Sequence, residues 1–388
     1  VVQENVSGAR VVKAYVCEEG ENRRFGVAND ELCSVNYRVL KLMAIITPVL
    51  SIIQNGAVIA LIAIGAVDLS AGIGGMSTGT VMAGITYVTQ VVNSIMMSTM
   101  MFQSVSRAMA SGKRVKEVLN TSPVVRGGTV RDGAETDVVV SMKHVGFRYP
   151  GTVGEPVLRD VNLEVRRGET LAVIGATGCG KSSLVRLIPR FYDATEGEVF
   201  IDGVPIREYD LSALRKKIGY VLQKSELFSD TVANNIRWGD PDATEAEVEE
   251  AARIAQADDF VRSFKDGYDT YIAEKGASLS GGQKQRISIA RALTRKPELL
   301  IFDDSTSALD LSTEAKLQKA LREHLQGTTV ILIAQRIASV KNADRIAVLE
   351  NGTITHCAPH EELMRISATY RDIYDSQMRQ SGREEGEA

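Results

Sequence analysis

The chain has little cysteine and little histidine, with four residues of each among 388. The four cysteines are scattered, and no C-x-x-C pair or histidine cluster accompanies them. Neither a disulfide framework nor a zinc site is therefore expected, which is typical of a chain facing a reducing compartment. Basic residues do not predominate either, since the net charge is -4 and the pI is near 5.8. Nucleic acid is therefore not an expected partner, because phosphate backbones bind basic faces.

Two long stretches lack charge entirely. Residues 42–67 and 79–106 contain no Asp, Glu, Lys or Arg. Each stretch exceeds the roughly 20 residues that cross the hydrocarbon core of a bilayer. Two membrane helices are predicted, whereas a pair of buried helices in a soluble protein is the alternative. The opening segment has no charged start followed by an apolar core, so no signal peptide is predicted.

The charges that flank the two stretches predict their orientation. The connector at 68–78 contains no Lys or Arg, whereas basic residues precede the first stretch and follow the second: Arg38, Lys41, Arg107, Lys113, Arg114 and Lys116. Because positive flanks stay in the cytoplasm, both ends are expected there, in a chain integral to the plasma membrane.

The second stretch is unusually polar for a helix in lipid. One helical stripe carries amides, hydroxyls and thioethers at steps of three or four residues: Thr86, Gln90, Asn93, Met97, Met101 and Ser104. Such a stripe could line a path for varied apolar molecules, because methionine side chains adapt to different shapes. It could equally pack against other helices through hydrogen bonds. The sequence leaves both interpretations open.

From residue 137 onward, strand-like runs alternate with amphipathic stretches, which predicts an α/β domain with a largely parallel sheet. Strands are predicted at 138–149, 157–165 and 170–175. The third strand leads into an unbroken G-x-x-x-x-G-K-S motif made of Gly175, Ala176, Thr177, Gly178, Cys179, Gly180, Lys181 and Ser182.

The motif predicts a phosphate-binding loop, because it stands between a predicted strand and a helix. Glycines let backbone N–H groups close around phosphate oxygens, and the helix directs its positive end at them. Lys181 would reach the β- and γ-phosphates, and the Ser182 hydroxyl would bind Mg²⁺. Ser183 is a further candidate contact. ATP with Mg²⁺ is therefore the expected ligand.

Two acidic residues follow the apolar run 299–302. Asp303 closes this strand, where a carboxylate would hold Mg²⁺. Asp304 comes next, and here the stretch resembles phosphate-loop ATPases, in which a carboxylate at this position faces the attacking water.

Together with the phosphate loop and the Asp303 strand, the segments 279–283 (Leu-Ser-Gly-Gly-Gln) and 307–310 (Ser-Ala-Leu-Asp) resemble the nucleotide-binding domain of ATP-binding cassette (ABC) proteins. The resemblance implies that adenine stacks on Tyr149 and that Gln223 senses Mg²⁺ and the nucleophilic water. Taken alone, Tyr149 would be an ordinary core aromatic and Gln223 an ordinary loop residue. The resemblance to ABC proteins also implies that residues 274–276 touch the transmembrane helices, and that Asp310 belongs to the catalytic site.

The same resemblance implies a dimer, because the signature residues contact the γ-phosphate held by the opposite domain. These residues are Ser280, Gly281, Gly282 and Gln283. With two spans before it, the domain resembles the C-terminal part of an exporter half-transporter. The expected fold is an all-α transmembrane segment followed by an α/β phosphate-loop ATPase domain with an α-helical signature subdomain.

The resemblance divides the chain into a partial transmembrane domain at 1–120, with a coupling loop at 4–16, a linker at 121–135 and a nucleotide-binding domain at 136–388. Because the family has six spans, four are expected to be missing before Val1.

Two residues depart from the family pattern, and both belong to the catalytic step. Asp304 replaces the usual glutamate, and Gln335 replaces the usual switch histidine. The signature at 279–283 is unchanged, so the expected assembly is a heterodimer in which this chain's own site is slow and its signature completes a fast site. A homodimer with two slow sites is the alternative.

The expected cargo is an amphipathic drug, lipid or peptide. A soluble ABC ATPase and an ATP-gated channel or regulator are competing functions.

Overall fold

The computed structural model describes residues 1–71, 77–134, 136–273, 276, 278–325 and 327–384. The chain forms two compact units, Val1–Ser122 and Pro123–Ala388. The division lies within the segment predicted as the linker.

The first unit is entirely helical in its described part. Two helices are long and apolar enough to cross a membrane, over Glu18–Ser70 and Thr78–Ser98. The predicted coupling loop lies in two short helices interrupted at Gly8. The helices of this unit are α1 (Val2–Ser7), α2 (Ala9–Ala14), α3 (Glu18–Ala71) and α4 (Thr78–Asn120).

Small residues let α3 and α4 approach closely. A Cβ added to Gly65 would lie 2.5 Å from the Val81 side chain, and Gln54 Nε2 donates to Thr89 Oγ1 at 3.5 Å. This is the small-residue and amide pairing that joins helices in lipid. All six residues of the polar and thioether stripe remain exposed in this unit. Helix α3 therefore does not cover the stripe, and both interpretations of it stay open.

The second unit is an α/β domain with a smaller helical part. Its strands are β1 (Val138–Phe147), β2 (Leu158–Arg166), β3 (Thr170–Ile174), β4 (Glu196–Ile201), β5 (Val204–Pro205), β6 (Ile218–Val221), β7 (Asp230–Thr231), β8 (Tyr271–Ile272), β9 (Leu299–Asp303), β10 (Thr329–Ile333), β11 (Arg345–Glu350) and β12 (Thr353–Ala358). Its helices are α5 (Lys181–Leu187), α6 (Leu211–Lys216), α7 (Val232–Arg237), α8 (Glu245–Ile254), α9 (Asp258–Arg262), α10 (Gly281–Thr294), α11 (Leu311–His324), α12 (Ile337–Val340), α13 (His360–Ile366) and α14 (Ala368–Glu384).

Six strands form the central sheet, in the order β12-β11-β3-β10-β9-β6. All neighbouring pairs are parallel except β11 with β12. Alternate residues of β3 enter different cores: Leu171 and Val173 pack on one face, and Ala172 and Ile174 on the other. A parallel sheet covered on both faces has this pattern. The sheet thus fixes the carboxyl ends of its parallel strands at one edge.

The expectation of one largely parallel sheet is wrong for the first two strands. β1 pairs antiparallel with β2 and with β4, in a separate sheet of order β2-β1-β4-β5. Only ten residues separate Phe147 from Leu158. A parallel crossover needs a dozen or more residues and usually a helix, whereas an antiparallel pair accepts a short connection.

Candidate nucleotide site

Four parallel strands place the candidate residues at one edge of the central sheet. In the register of the sheet, Ile333 of β10 lies beside both Val173 of β3 and Asp303 of β9. Val221 of β6 lies beside Phe302 of β9. The residues that follow these strands, which include the phosphate loop, Asp304, Gln335 and Gln223, therefore meet at the carboxyl edge. Ligands of open α/β sheets bind at this edge.

The phosphate loop at 175–180 needs its glycines for two physical reasons. Gly178 and Gly180 have φ values of +83° and +106°, which L side chains rarely adopt. A Cβ on Gly175 would lie 2.1 Å from the Leu349 carbonyl oxygen. The loop closes around Lys181, whose Nζ donates to the carbonyl oxygens of Gly175 and Ala176 at 2.7 and 2.8 Å. A buried ammonium in a glycine-rich loop before a helix fits a phosphate ligand.

A hydroxyl and a carboxylate meet beneath the loop. Ser182 Oγ donates to Asp303 Oδ1 at 2.5 Å, and Asp303 is fully buried. These hard oxygen donors suit Mg²⁺, which usually takes one or two carboxylates and completes its shell with water and substrate phosphates. Among the residues that the structure describes, no group of three His, Cys, Asp or Glu could hold a metal. The donor set therefore fits Mg²⁺ carried with a nucleotide.

Sequence reasoning missed two residues that orient Asp303. Tyr220 OH donates to Asp303 Oδ2 at 3.0 Å, and Arg186 Nε lies 3.8 Å from the same oxygen. Arg186 lies four residues after Ser182 on α5, so helical spacing could have indicated that the two share a face. Tyr220 gave no local signal, because only the pairing of β6 with β9 brings it to Asp303.

Asp304, the second acid of the site, is also held in place. It is 5% exposed and has a left-handed backbone, with φ +50°. Its Oδ2 accepts hydrogen bonds from Gln335 Nε2 at 2.6 Å and from Gln223 Nε2 at 3.1 Å. Burial raises the pKa of the Asp304 carboxyl, although the Gln335 hydrogen bond and the Lys181 charge oppose this shift. The three side chains predicted for the catalytic step therefore do meet, and two neutral amides hold the carboxylate.

Tyr149 lies beside the phosphate loop within an aromatic cluster. Its ring is 4.8 Å from Phe147 and 5.2 Å from Tyr192, measured between centroids and with edge-to-face geometry. The Tyr149 hydroxyl lies 3.0 Å from Ser183 Oγ and accepts from Arg186 Nη1 at 3.4 Å. Adenine stacking on Tyr149 stays a prediction, since the ring also serves the core.

The signature residues start a separate helix. Ser280 is the N-cap of α10: its Oγ accepts from the backbone N–H of Gln283, and Gln283 Oε1 accepts from the Ser280 N–H at 2.9 Å. Ser280 and Gly281 are exposed. Helix α10 packs on α7 and α8, which form the helical part with it. The start of α10 therefore faces solvent.

Asp310 caps another helix. Its carboxylate accepts from the Thr313 N–H at 2.8 Å and from the Thr313 hydroxyl at 2.7 Å, which starts α11. These bonds from Thr313 lower the pKa of Asp310. A catalytic role of Asp310 therefore stays a prediction. In the predicted contact loop, Glu274 and Lys275 lie outside the described residues, whereas Gly276 is buried.

Comparisons with known proteins agree with this geometry. Residues 158–307 match the ABC transporter family, and residues 1–95 match the ABC transporter transmembrane region. The chain is 39% identical over 385 residues to YfiB of Bacillus subtilis (strain 168), an uncharacterized ABC transporter ATP-binding protein, covering 99% of this chain and 66% of that protein. It is 37% identical to the ATP-dependent lipid A-core flippase of Syntrophus aciditrophicus (strain SB), covering 98% and 63%.

The similarity extends to the three-dimensional structure of a known exporter. The structure of a bacterial Atm1-family ABC exporter with ATP bound matches with a TM-score of 0.84 and 30% identity, covering 97% of this chain and 66% of that chain. The chain thus spans about two thirds of the length of these proteins. It belongs to the ABC transporter family, with a helical transmembrane region followed by an α/β ABC ATPase domain.

Proposed function

We propose that this chain is the ATP-binding subunit of an ABC exporter and that its own nucleotide site binds ATP but hydrolyses it slowly. One observation carries the proposal: a single oxygen of Asp304 accepts hydrogen bonds from the neutral amides of Gln335 and Gln223. A general base must present a free lone pair to the proton that it removes. Because both amides bond to Oδ2, only Oδ1 is left to accept that proton, on a side chain one methylene shorter than glutamate.

Both departures from the family pattern weaken the same chemical step. Aspartate is one methylene shorter than glutamate, and a misplacement of about 1 Å can lower a rate roughly a hundredfold. Gln335 donates to Asp304 but cannot become a cation or exchange a proton near neutral pH. Slow water activation follows from the two substitutions together.

Nucleotide binding depends on other residues, which keep the expected arrangement. Lys181 and the glycine loop would hold the phosphates, and Ser182 with Asp303 would hold Mg²⁺. Mg²⁺ held there would supply positive charge against the phosphates. Strong binding together with slow turnover is the expected property of this site.

The exposed signature supports a role in a second site. Ser280 presents the N-terminus of a 14-residue helix to solvent, where its positive end favours a phosphate. An unchanged signature beside a weakened catalytic step favours a heterodimer, in which a second half-transporter supplies the faster site. A homodimer with two slow sites is the competing assembly.

The transported molecule is proposed to be amphipathic, such as a drug, a lipid or a peptide. The support is the exposed stripe of α4, which mixes hydroxyls and amides with Met97 and Met101. One similar protein is named for flipping lipid A core, which agrees with a lipid cargo. The membrane would be the plasma membrane, with the nucleotide-binding domain in the cytoplasm. An ATP-gated channel of the same architecture would not move a labelled substrate against its gradient.

The proposal is tested by comparing two variants in the assembled transporter. Ser280→Arg places a cation and a bulky side chain at the signature, and it should abolish steady-state ATP turnover. Lys181→Ala weakens only the slow site, so a larger fraction of turnover should remain. Equal loss in the two variants would instead indicate a homodimer or two equivalent sites.

A further inference from the structure

The last described helix, α14, is anchored to the domain at its first turn. Tyr370 is fully buried, and its hydroxyl lies 2.7 Å from His360 Nδ1. The Tyr370 N–H donates to Ser367 Oγ at 3.2 Å. These contacts fix the direction in which the helix leaves α13.

Gln377 lies seven residues after Tyr370, and therefore on the same face of α14, two turns further on. Its Nε2 donates to the carbonyl oxygen of Gln335 at 2.7 Å. Its Oε1 accepts from the N–H of Ile337, also at 2.7 Å. The side-chain amide of Gln377 therefore forms hydrogen bonds with the backbone on both sides of Arg336.

The clamp meets a specific need of α12. This helix begins at Ile337, and its N-cap residue, Arg336, makes no side-chain capping bond. The first N–H groups of a helix lack partners within the helix, and Gln377 supplies one from outside. A primary amide carries a donor and an acceptor at one end, whereas a carboxylate or an ammonium at this position would satisfy only one of the two backbone groups.

The backbone that Gln377 holds carries a side chain of the nucleotide site. Gln335 donates through its own Nε2 to Asp304 Oδ2 at 2.6 Å. On the α11 side, Ser339 Oγ donates to the buried Glu314 at 2.5 Å, and Gln318 Nε2 donates to the Ser339 carbonyl at 2.9 Å. The segment 335–339 is therefore held between α11 and α14.

We infer that Gln377 is a positioning residue of the nucleotide site, which sets Gln335 against Asp304 by clamping the backbone at Gln335 and Ile337. The effect on turnover rests on the function proposed above, whereas the clamp itself does not. Gln377 would make the C-terminal helix part of the catalytic apparatus. A displacement of α14 would move Gln377, and through it Gln335, relative to the Asp304 carboxylate.

Hydrogen exchange tests the clamp directly in the full chain, with or without ATP. Gln377→Ala should lower the protection of the Ile337 amide about fivefold, because a hydrogen bond contributes roughly 1 kcal/mol. The control is Asp375→Ala, an exposed position on the same helix, which should leave that amide unchanged. If Gln377→Ala destabilises the whole domain, Gln377→Glu retains the acceptor for Ile337 and should keep its protection. Unchanged protection in Gln377→Ala would overturn the clamp.

Turnover tests the positioning role. Single-turnover hydrolysis by this chain's site should slow about tenfold in Gln377→Ala, since about 1 Å of misplacement can lower a rate up to a hundredfold. The affinity for ATP should stay within about twofold, because the clamp does not touch the phosphate loop. In a Gln335→Ala background the same substitution should have little further effect. Equal slowing in both backgrounds would refute an action through Gln335.

Absence of ATP binding in the unmodified chain would refute the proposed function but leave the exchange result to decide the clamp.

Discussion

Asp304→Glu should accelerate hydrolysis at this chain's own site. The substitution adds one methylene, which extends the carboxylate by about 1.5 Å along the side chain. The carboxylate would then reach past the point where Gln335 and Gln223 hold the aspartate, at 2.6 and 3.1 Å from its Oδ2. Since a misplacement of about 1 Å can lower a rate about a hundredfold, the expected gain is about ten- to hundredfold.

Two effects limit this gain. Residue 304 has φ +50°, a conformation that aspartate tolerates better than glutamate, and the strain costs about 1 kcal/mol. Gln335 also remains unable to exchange a proton, and a positioned general acid or base contributes about a hundredfold or more. The variant should therefore stay slower than a site with glutamate and histidine together.

The assay isolates the site genetically. Ser280→Arg on this chain would silence the partner's site, so that single-turnover hydrolysis reports the site of this chain alone. Asp304→Asn is the matched control, since it retains the shape of the side chain and removes the base. A short carboxylate is not what limits this site if Asp304→Glu hydrolyses ATP no faster than the parent, or if Asp304→Asn shows an equal gain in hydrolysis rate.

Two further predictions concern stability and loop shape. Because burial raises the pKa of Asp304, the stability contributed by its protonated form is complete below the unfolded pKa and is lost as pH rises through the folded pKa. Asp304→Asn should thus have a higher Tm than the parent chain at pH 7. Thermal unfolding at lower pH should show this difference in Tm shrinking toward about pH 4. A difference in Tm that does not change with pH would contradict the raised pKa of Asp304. Gly175→Ala should lower the unfolding free energy by about 1–3 kcal/mol and ATP affinity more than tenfold, because its Cβ would lie 2.1 Å from the Leu349 oxygen. Gly178→Ala meets no atom within 4 Å and should cost only about 1 kcal/mol of backbone strain, so equal Tm and ATP-binding losses in the two variants would argue against the steric explanation.

The sequence was sufficient where a local pattern carries the structure. Charge-free length predicted the two apolar helices, and the glycine spacing predicted a loop between β3 and α5. Ser280 lies at a helix N-terminus, where its sequence motif places it. Each of these features depends on residues that are close together in the chain.

Features that depend on pairing between distant elements could not be predicted. Gln223 and Asp304 are 81 residues apart, and only the order β10-β9-β6 brings them together. Gln377 reaches Gln335 across 42 residues, and a glutamine on a polar helix gives no sign of such a bond. The antiparallel sheet was missed because alternating strand patterns do not state which strands pair.

The proposed slow site should keep its ATP intact while the partner's site hydrolyses ATP repeatedly. This expectation is tested most directly by photo-crosslinking ATP, labelled on either the α- or the γ-phosphate, to the assembled transporter during turnover. After several turnovers, this chain should carry both labels in nearly equal amounts, because the ATP at its phosphate loop is still intact. Retention of the α-label with loss of the γ-label at the rate of bulk hydrolysis would contradict a slow site in this chain.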